Sequence, residues 1–576
     1  SEDPKASLSA LENIISSSSA SLHPLELARA EFVIAGMYFS IRKNEEADKY
    51  FKASITHSGG KTEYRLAYAD YLYNIEELDK AFDEFNAVIK QDANNLKAKL
   101  GLVKVMIKQR KILNAHKTIM EIYSQDSSNP NVLLYKGKIE EELEKFKDAE
   151  QSYNQILSTK KDFIEARLAL ANLLIRQNKT EEGLALLEGI KKENPQNTDV
   201  LIMIGETYLK LRKIDPAIEN LRHVIEIDNY NTYSRFLLAK AYIEKQEYDE
   251  ALKHLEVVKI QINKMPELRY YFGKAYFGLK KYPEAISNLE EELKTNRQSI
   301  DVMIMLGKAY SMNNDHQKAI EILNNAIIAE SGNAVAYFEL GMAYLRKGDK
   351  TSAVESFKQA TNKSKDNIEF RFIFGKTMIE NNMFNEGIEE LKNVIKKAPD
   401  NPEYRYYLAM GYYLSKNYKA AIAEFSKVYS QDPNNESALF YTGKSYQGRK
   451  EYDKAIKSFK ECIEKNANND KALFEIARTY ELMEKYDQAV EYYERTIAKN
   501  QTASMAYYRL GYIYKGKNNY QKAIKYFEQF LKISPEDDLA QEVKDEIFDL
   551  KETLKLSEEE EKAAKTKDKR QEEEEE

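Results

Sequence analysis

The 576-residue chain has no tryptophan, one cysteine, 11 prolines and 21 glycines. Each shortage excludes something. The lone Cys462 rules out an internal disulfide, which is mildly cytosolic and leaves both cytoplasm and periplasm open. Its place in a repeated helix reads as a small packed side chain. Little Pro and Gly, beside 31% charged residues, suits a helix-rich chain. No apolar run approaches the ~20 residues that a spanning helix needs, so direct membrane insertion is not expected. The six histidines are His23, His57, His116, His223, His254 and His316, and no two stand three or four residues apart to form a helical metal pair. A glycine-rich phosphate loop and a nucleophile elbow are both missing, and the carboxylates fall at helical spacing on solvent faces. No catalytic, cofactor or metal site is expected, and the chain reads as a non-enzyme. An excess of positive charge is also lacking: the formal charge is −7, and residues 557–576 alone hold ten acids against five bases. General nucleic-acid binding is therefore not expected.

What the chain does have is a period of 34 residues without one insertion or deletion. Stepping from Ala35 gives Ala69, Val103, Gly137, Ala171, Gly205, Ala239, Gly273, Gly307, Gly341, Gly375, Ala409, Gly443, Ala477 and Gly511; Val103 is the one residue that is neither Gly nor Ala. The series from Ala47 is Ala throughout except Gly183 and Gly387. A fixed period of this size marks one small unit copied in tandem, hence a solenoid whose work is binding. The unit reads as two helices. Leu510, Gly511 and Tyr514 share one helical stripe, a break follows at Gly516–Asn519, and Ala523, Phe527 and Leu531 recur on a second helix that Pro535 stops. Small residues at 511 and 523 let the two helices approach, and Phe527 fills the space beside them.

These residues resemble the tetratricopeptide repeat family. With each repeat numbered 1 to 34 and the first small residue at position 8, the resemblance covers residues 28–537, fifteen repeats. Position 11 is Tyr in ten of them, among them Tyr208, Tyr242, Tyr310 and Tyr480, and position 24 is large and apolar in all, from Phe51 to Phe527. Three departures stand out. The family's large aromatic at position 4 gives way to Arg65, Arg167, Arg235, Arg269, Arg371 and Arg405. Repeats three and four fit worst, with Val103 at position 8 and Glu140 at position 11. Glu292 stands at position 27, so it must be paired or the packing there must be looser.

The ends differ from the middle. Residues 1–27 carry a short stripe of Leu8, Leu11, Ile14 and Ile15, read as a capping helix or the remnant of an upstream repeat. Residues 538–556 read as a C-terminal capping helix, and 557–576 as a charged tail without regular structure. The chain opens on Ser1 rather than Met, which reads as a processed form or a piece of a longer protein. Its Lys, Asn and Ile content points to an AT-rich, bacterial genome.

The resemblance implies an all-α, right-handed superhelical solenoid whose first helices line a concave groove, mainly through positions 2, 5, 6, 9, 12 and 13. Position 9 is basic in eight repeats, and Lys240, Lys274 and Lys308 are consecutive, a ladder joined further on by Lys376. Position 2 is acidic in seven repeats, so the ladder reads either as part of a solvated stripe of alternating charge or as a receiver of an acidic or extended partner segment. Tyr270, Tyr271 and Phe277 in one stretch, and Tyr406, Tyr407 and Tyr413 in another, are the expected peptide anchors, since tyrosine suits a half-wet surface. The family's carboxylate clamp for chaperone C-termini is missing: the one Asn at position 9, Asn172, is accompanied by Leu168, Met203, Tyr233 and Leu237 where the clamp needs polar residues. The expected function is a protein-interaction scaffold that binds a partner peptide or helix in its groove. The alternatives are an architectural subunit of a larger, membrane-associated or motility assembly, and a regulatory arm of a longer enzyme. Self-association through the end repeats is a further expectation.

Overall fold

The computed structural model describes residues 4–18, 22–41, 43–262 and 265–575. Among these there are 32 helices and no strand. After an N-terminal helix, Pro4–Ser18, the helices run as fifteen consecutive pairs from Pro24–Ser40 and Asn44–His57 to Ser504–Gly516 and Tyr520–Ile533. The first and second helix of each pair are called A and B below. The chain divides into two units, Ser1–Leu279 and Lys280–Glu576. Within each unit, helix pairs stack on their sequence neighbours and bury a succession of apolar clusters between them.

The period is written into the helix ends as well as the core. Most A helices begin at an asparagine at position 34 of the preceding repeat. The side chains of Asn95, Asn197, Asn333, Asn367 and Asn469 each accept the backbone N–H three residues on, at 2.9–3.2 Å. This satisfies one of the orphan donors of the first turn. Each A helix then ends in the same way. The residue at position 15 is left-handed in repeat after repeat: Glu76, Arg110, Glu144, Asn178, Arg212 and Gln246 in the first unit, and Lys280, Asn314, Asn382, Lys416, Lys450, Glu484 and Asn518 in the second. Only Gly348 brings glycine to that place. The next N–H turns back to the carbonyl at position 11, as in Lys145 N to Glu140 O at 2.8 Å and Glu451 N to Tyr446 O at 2.9 Å. This six-to-one bond is the Schellman closure, which reverses the chain tightly enough for helix B to pack on helix A.

Small-on-large packing holds each pair together. A β-carbon on Gly137, Gly341 or Gly443 would lie 2.5–2.6 Å from the ring of Tyr153, Phe357 or Phe459, the position 24 residue of the same repeat. Repeat three meets the constraint from the other side: Val103 and Ile119 are both fully buried, a larger residue at position 8 matched by a smaller one at position 24 than these aromatics. Three of the position 4 arginines are anchored to their own helix B. Arg65 pairs with Glu84 at 2.7 Å, Arg405 with Glu424 at 2.8 Å, and Arg371 with Glu390, in each case the position 23 carboxylate of its own helix B.

In repeat four, Glu140 is buried but partnered. It accepts from Lys136 Nζ at 2.6 Å and from Ser152 Oγ at 2.8 Å. Its neighbour Glu141 accepts from Tyr153 and from Arg176, and burial still raises its carboxyl above the usual range. Glu292 is 8% exposed, and its carboxylate takes part in none of the described hydrogen bonds or ion pairs. Cys462 is a packed core residue, and burial pushes its thiol up to about 12.

At the N-terminus, Leu8 is buried against the first repeat with Leu11 and Ile15 beside it; the side chain of Ile14 lies outside the described set. At the other end, Val543, Ile547 and Leu550 pack on the last repeat from a helix spanning Ala540–Glu575. Where the charge runs suggest an irregular tail over 557–576, this helix continues through Glu575. The docked half supplies the costly nucleus, and pairs such as Glu561 with Lys565 at 2.8 Å lie four residues apart along the extension. Glu576 lies outside the described residues.

Candidate interaction groove

Within each unit, helix A of most repeats touches helix A of the next, whereas no helix B comes equally close to the following helix B. The A side is therefore the inside of the local curve, and the groove-facing positions are those of helix A.

Position 5 aromatics on this side are mostly spoken for by packing. Phe338 is buried and stacks on Phe370 at 4.3 Å. Phe440 meets Phe459 at 5.6 Å, and Phe474 meets Tyr493 at 5.4 Å, both position 24 rings of their own repeats. Tyr406 belongs to this class. It is half-buried against Phe425 at 5.7 Å and Tyr441 at 6.4 Å, and burial raises its hydroxyl to about 12. Tyr413, half-buried between Tyr418 and Tyr441, is raised by burial as well. Tyr270 meets Tyr271 edge-on at 5.3 Å, and Phe277 is half-buried.

Position 6 behaves differently. A lysine at position 9 lies over the tyrosine at position 6 of the next repeat: Lys240 over Tyr271 at 4.7 Å, Lys376 over Tyr407 at 4.5 Å and Lys104 over Tyr135 at 5.6 Å. The ring's negative face attracts the ammonium and holds it at the groove wall. The sequence contains this relation as a Lys–Tyr spacing of 31 residues that crosses from one repeat into the next.

The ladder lysines are already matched to carboxylates. Lys240 faces Glu267 and Lys274 faces Glu244, each at 3.5 Å, and Lys308 pairs with Glu339 at 2.9 Å. Lys444 repeats the last relation with Glu475 at 2.6 Å. Burial alone would lower Lys376, but Tyr407, Glu380 and Glu403 outweigh it and hold the ammonium above its ordinary range. In the second unit a recess is lined by Phe440, Lys471, Phe474, Glu475 and Met505. Among the described residues no cluster of three or more His, Cys, Asp or Glu could hold a metal ion, and no helix is long and apolar enough to cross a membrane.

Comparison with known proteins agrees with the repeat. Three models described as tetratricopeptide repeat match residues 142–204, residues 198–231 and 506–537, and residues 304–367 and 376–436. A model described as anaphase-promoting complex, cyclosome, subunit 3 matches 222–292 and 416–496. No curated protein matches in sequence. Among solved structures, the APC/C hetero-tetramer Cut9-Hcn1 aligns over 80% of this chain and 98% of that one, at 15% identity and a TM-score of 0.40. YrrB, described as a TPR protein with an unusual peptide-binding site, aligns over 32% of this chain and 95% of its own, at 19% identity and a TM-score of 0.30. With paired helices in strict 34-residue register and family models matching between residues 142 and 537, this chain belongs to the tetratricopeptide repeat family.

Proposed function

We propose that the chain is a protein-interaction scaffold that holds a partner peptide or helix against the A-helix side. The observation that carries this reading is the recurring lysine-over-tyrosine pair, seen at Tyr135, Tyr271 and Tyr407. Each pair presents a partly buried aromatic face and a cation together, the chemistry of an anchor at a half-wet interface. Tyr270, Phe277, Tyr406 and Tyr413 support the wall behind these anchors, and charge along Lys240, Lys274, Lys308 and Lys376 sets register and partner choice.

A second reading, an architectural subunit of a larger assembly, draws on the opposite side. Leu113, Ile260 and Ile328 sit on B helices and Tyr230 just after one, and they are 76–82% exposed. Isolated exposed apolar residues are ordinary, but ones this bare suit contacts through the outer edge. The family-model match named for a subunit of the anaphase-promoting complex points the same way.

Cross-linking a partner captured from native extract, with mass spectrometric mapping, separates the two. Cross-links at Lys104, Lys138, Lys240 and Lys376 support the groove. Cross-links confined to B-helix lysines such as Lys117, Lys253 and Lys392 overturn it in favour of the architectural reading.

A further inference from the structure

The first unit contains two Lys–Tyr–Lys sites of the same construction. At Tyr271 the ring lies under Lys240 at 4.7 Å and Lys274 at 5.7 Å. At Tyr135 it lies under Lys104 at 5.6 Å and Lys138 at 5.3 Å. In both, the lysines come from position 9 of two successive repeats and the tyrosine from position 6 of the second.

The two sites differ in their anions. Lys240 and Lys274 are each answered by a carboxylate, Glu267 from position 2 and Glu244 from position 13. The same places beside Tyr135 are held by Asn131 and Lys108. Lys108 is itself a cation, paired with Glu76 at 3.0 Å. Neither Lys104 nor Lys138 takes part in any of the described ion pairs. Asp70, one repeat back, and Glu165, one repeat on, make no described ion pair with either, and Glu141 beside them is occupied by Tyr153 and Arg176. Two ammonium groups thus lie within 5.6 Å of one ring centroid with no counter-charge in described contact. Lys138 is open to solvent at the groove, yet its surroundings strip enough hydration to lower its pKa below the ordinary lysine value. Like charges held this way are relieved by an incoming anion.

Resting on the groove reading above, we infer that Lys104, Tyr135 and Lys138 bind a Glu or Asp side chain of an extended acidic partner segment, filling the role that Glu267 and Glu244 fill internally at Tyr271. The aromatic floor and the paired donors favour a carboxylate on a flexible peptide, which can lie along the groove while one side chain reaches between the lysines. The repeat-three-to-four step, a poor match to the family pattern, is thereby given a role.

The test uses the full chain and a fluorescein-labelled ten-residue peptide of alternating Glu and Gly, read by fluorescence anisotropy at two ionic strengths. A Gln–Gly peptide is the neutral control. The wild type should bind the Glu peptide, more weakly at higher salt, and not the Gln peptide. Lys104→Gln/Lys138→Gln should weaken binding by about tenfold. Asn131→Glu, which keeps both lysines but supplies an internal carboxylate, should weaken it comparably, while Lys253→Gln/Lys392→Gln, on B helices outside the proposed groove, should change it less than about twofold. Circular dichroism confirms that each variant is folded. Equal binding of the two peptides, or full affinity in the Lys104/Lys138 variant, overturns the assignment. If that happens while partner cross-links still map to A helices, only the carboxylate site falls; if the cross-links move to B helices, the groove reading falls with it.

Discussion

Phe459 rests on Gly443 so closely that a β-carbon at 443 would stand 2.6 Å from its Cε1 atom. The third repeat meets the same constraint with Val103 on Ile119, so the two positions trade volume. Gly443→Val alone should cost about 1–3 kcal/mol by overpacking. Adding Phe459→Ile should recover much of that loss, because the pair then copies repeat three. Urea denaturation of both variants checks this, and a double variant less stable than the single one would contradict it.

The turn at position 15 asks for a left-handed residue fourteen times among the described residues, and only Gly348 is free of the side-chain penalty. At Lys450, with φ of 63°, replacement by glycine should stabilise the second unit by about 0.5–1 kcal/mol, the relieved strain exceeding the entropy that glycine adds to the unfolded chain. Lys450→Val should destabilise by about 1 kcal/mol or more, since a β-branched residue tolerates that conformation worst. Paired denaturation curves give both signs.

Lys136 and Glu140 form a mostly buried ion pair, with side chains 15% and 6% exposed, closed by Ser152. Lys136→Met strands a buried carboxylate and should cost about 3 kcal/mol. Lys136→Met with Glu140→Leu removes both charges and should restore most of it. Thermal denaturation followed by circular dichroism distinguishes a true pair from two independent residues.

His254 stacks on Tyr242 at 5.6 Å with its Nδ1 buried and unpartnered. Burial lowers its pKa below the ordinary 6.5, with Arg235, Arg222 and Lys253 adding to the shift and Glu250 opposing it. The folded state therefore favours the neutral ring. Its contribution to stability is complete above about pH 6.5 and is lost as pH falls from there toward the depressed value. Between pH 7.5 and 5 the wild type should lose more stability than His254→Phe, which keeps the stack but cannot take up a proton. Denaturant midpoints at the two pH values check the difference, and parallel losses would contradict it.

Much of this architecture is legible in the residues alone. The Gly and Ala series from Ala35 and Ala47 determine helix pairs, because only small residues admit a second helix at that distance. Position 24 fills the gap, and strict spacing makes the unit repeat. The asparagine caps at position 34, which the structure brought out, are local as well, being side chains that bond their own nearby backbone. Position 15 was not legible in the residues, because its left-handed turn is imposed by the Schellman closure on Glu, Arg, Lys and Asn alike, without a residue signature. The charged groove needed the tertiary structure for a similar reason. A lysine at position 9 looks the same in every repeat, but its meaning depends on what the neighbouring repeat places beside it. Stacking put Glu267 and Glu244 against Lys240 and Lys274, and left Lys104 and Lys138 against one tyrosine with no described ion pair. Coulomb energy depends on distances between side chains roughly 30 residues apart in sequence, and only packing sets those distances.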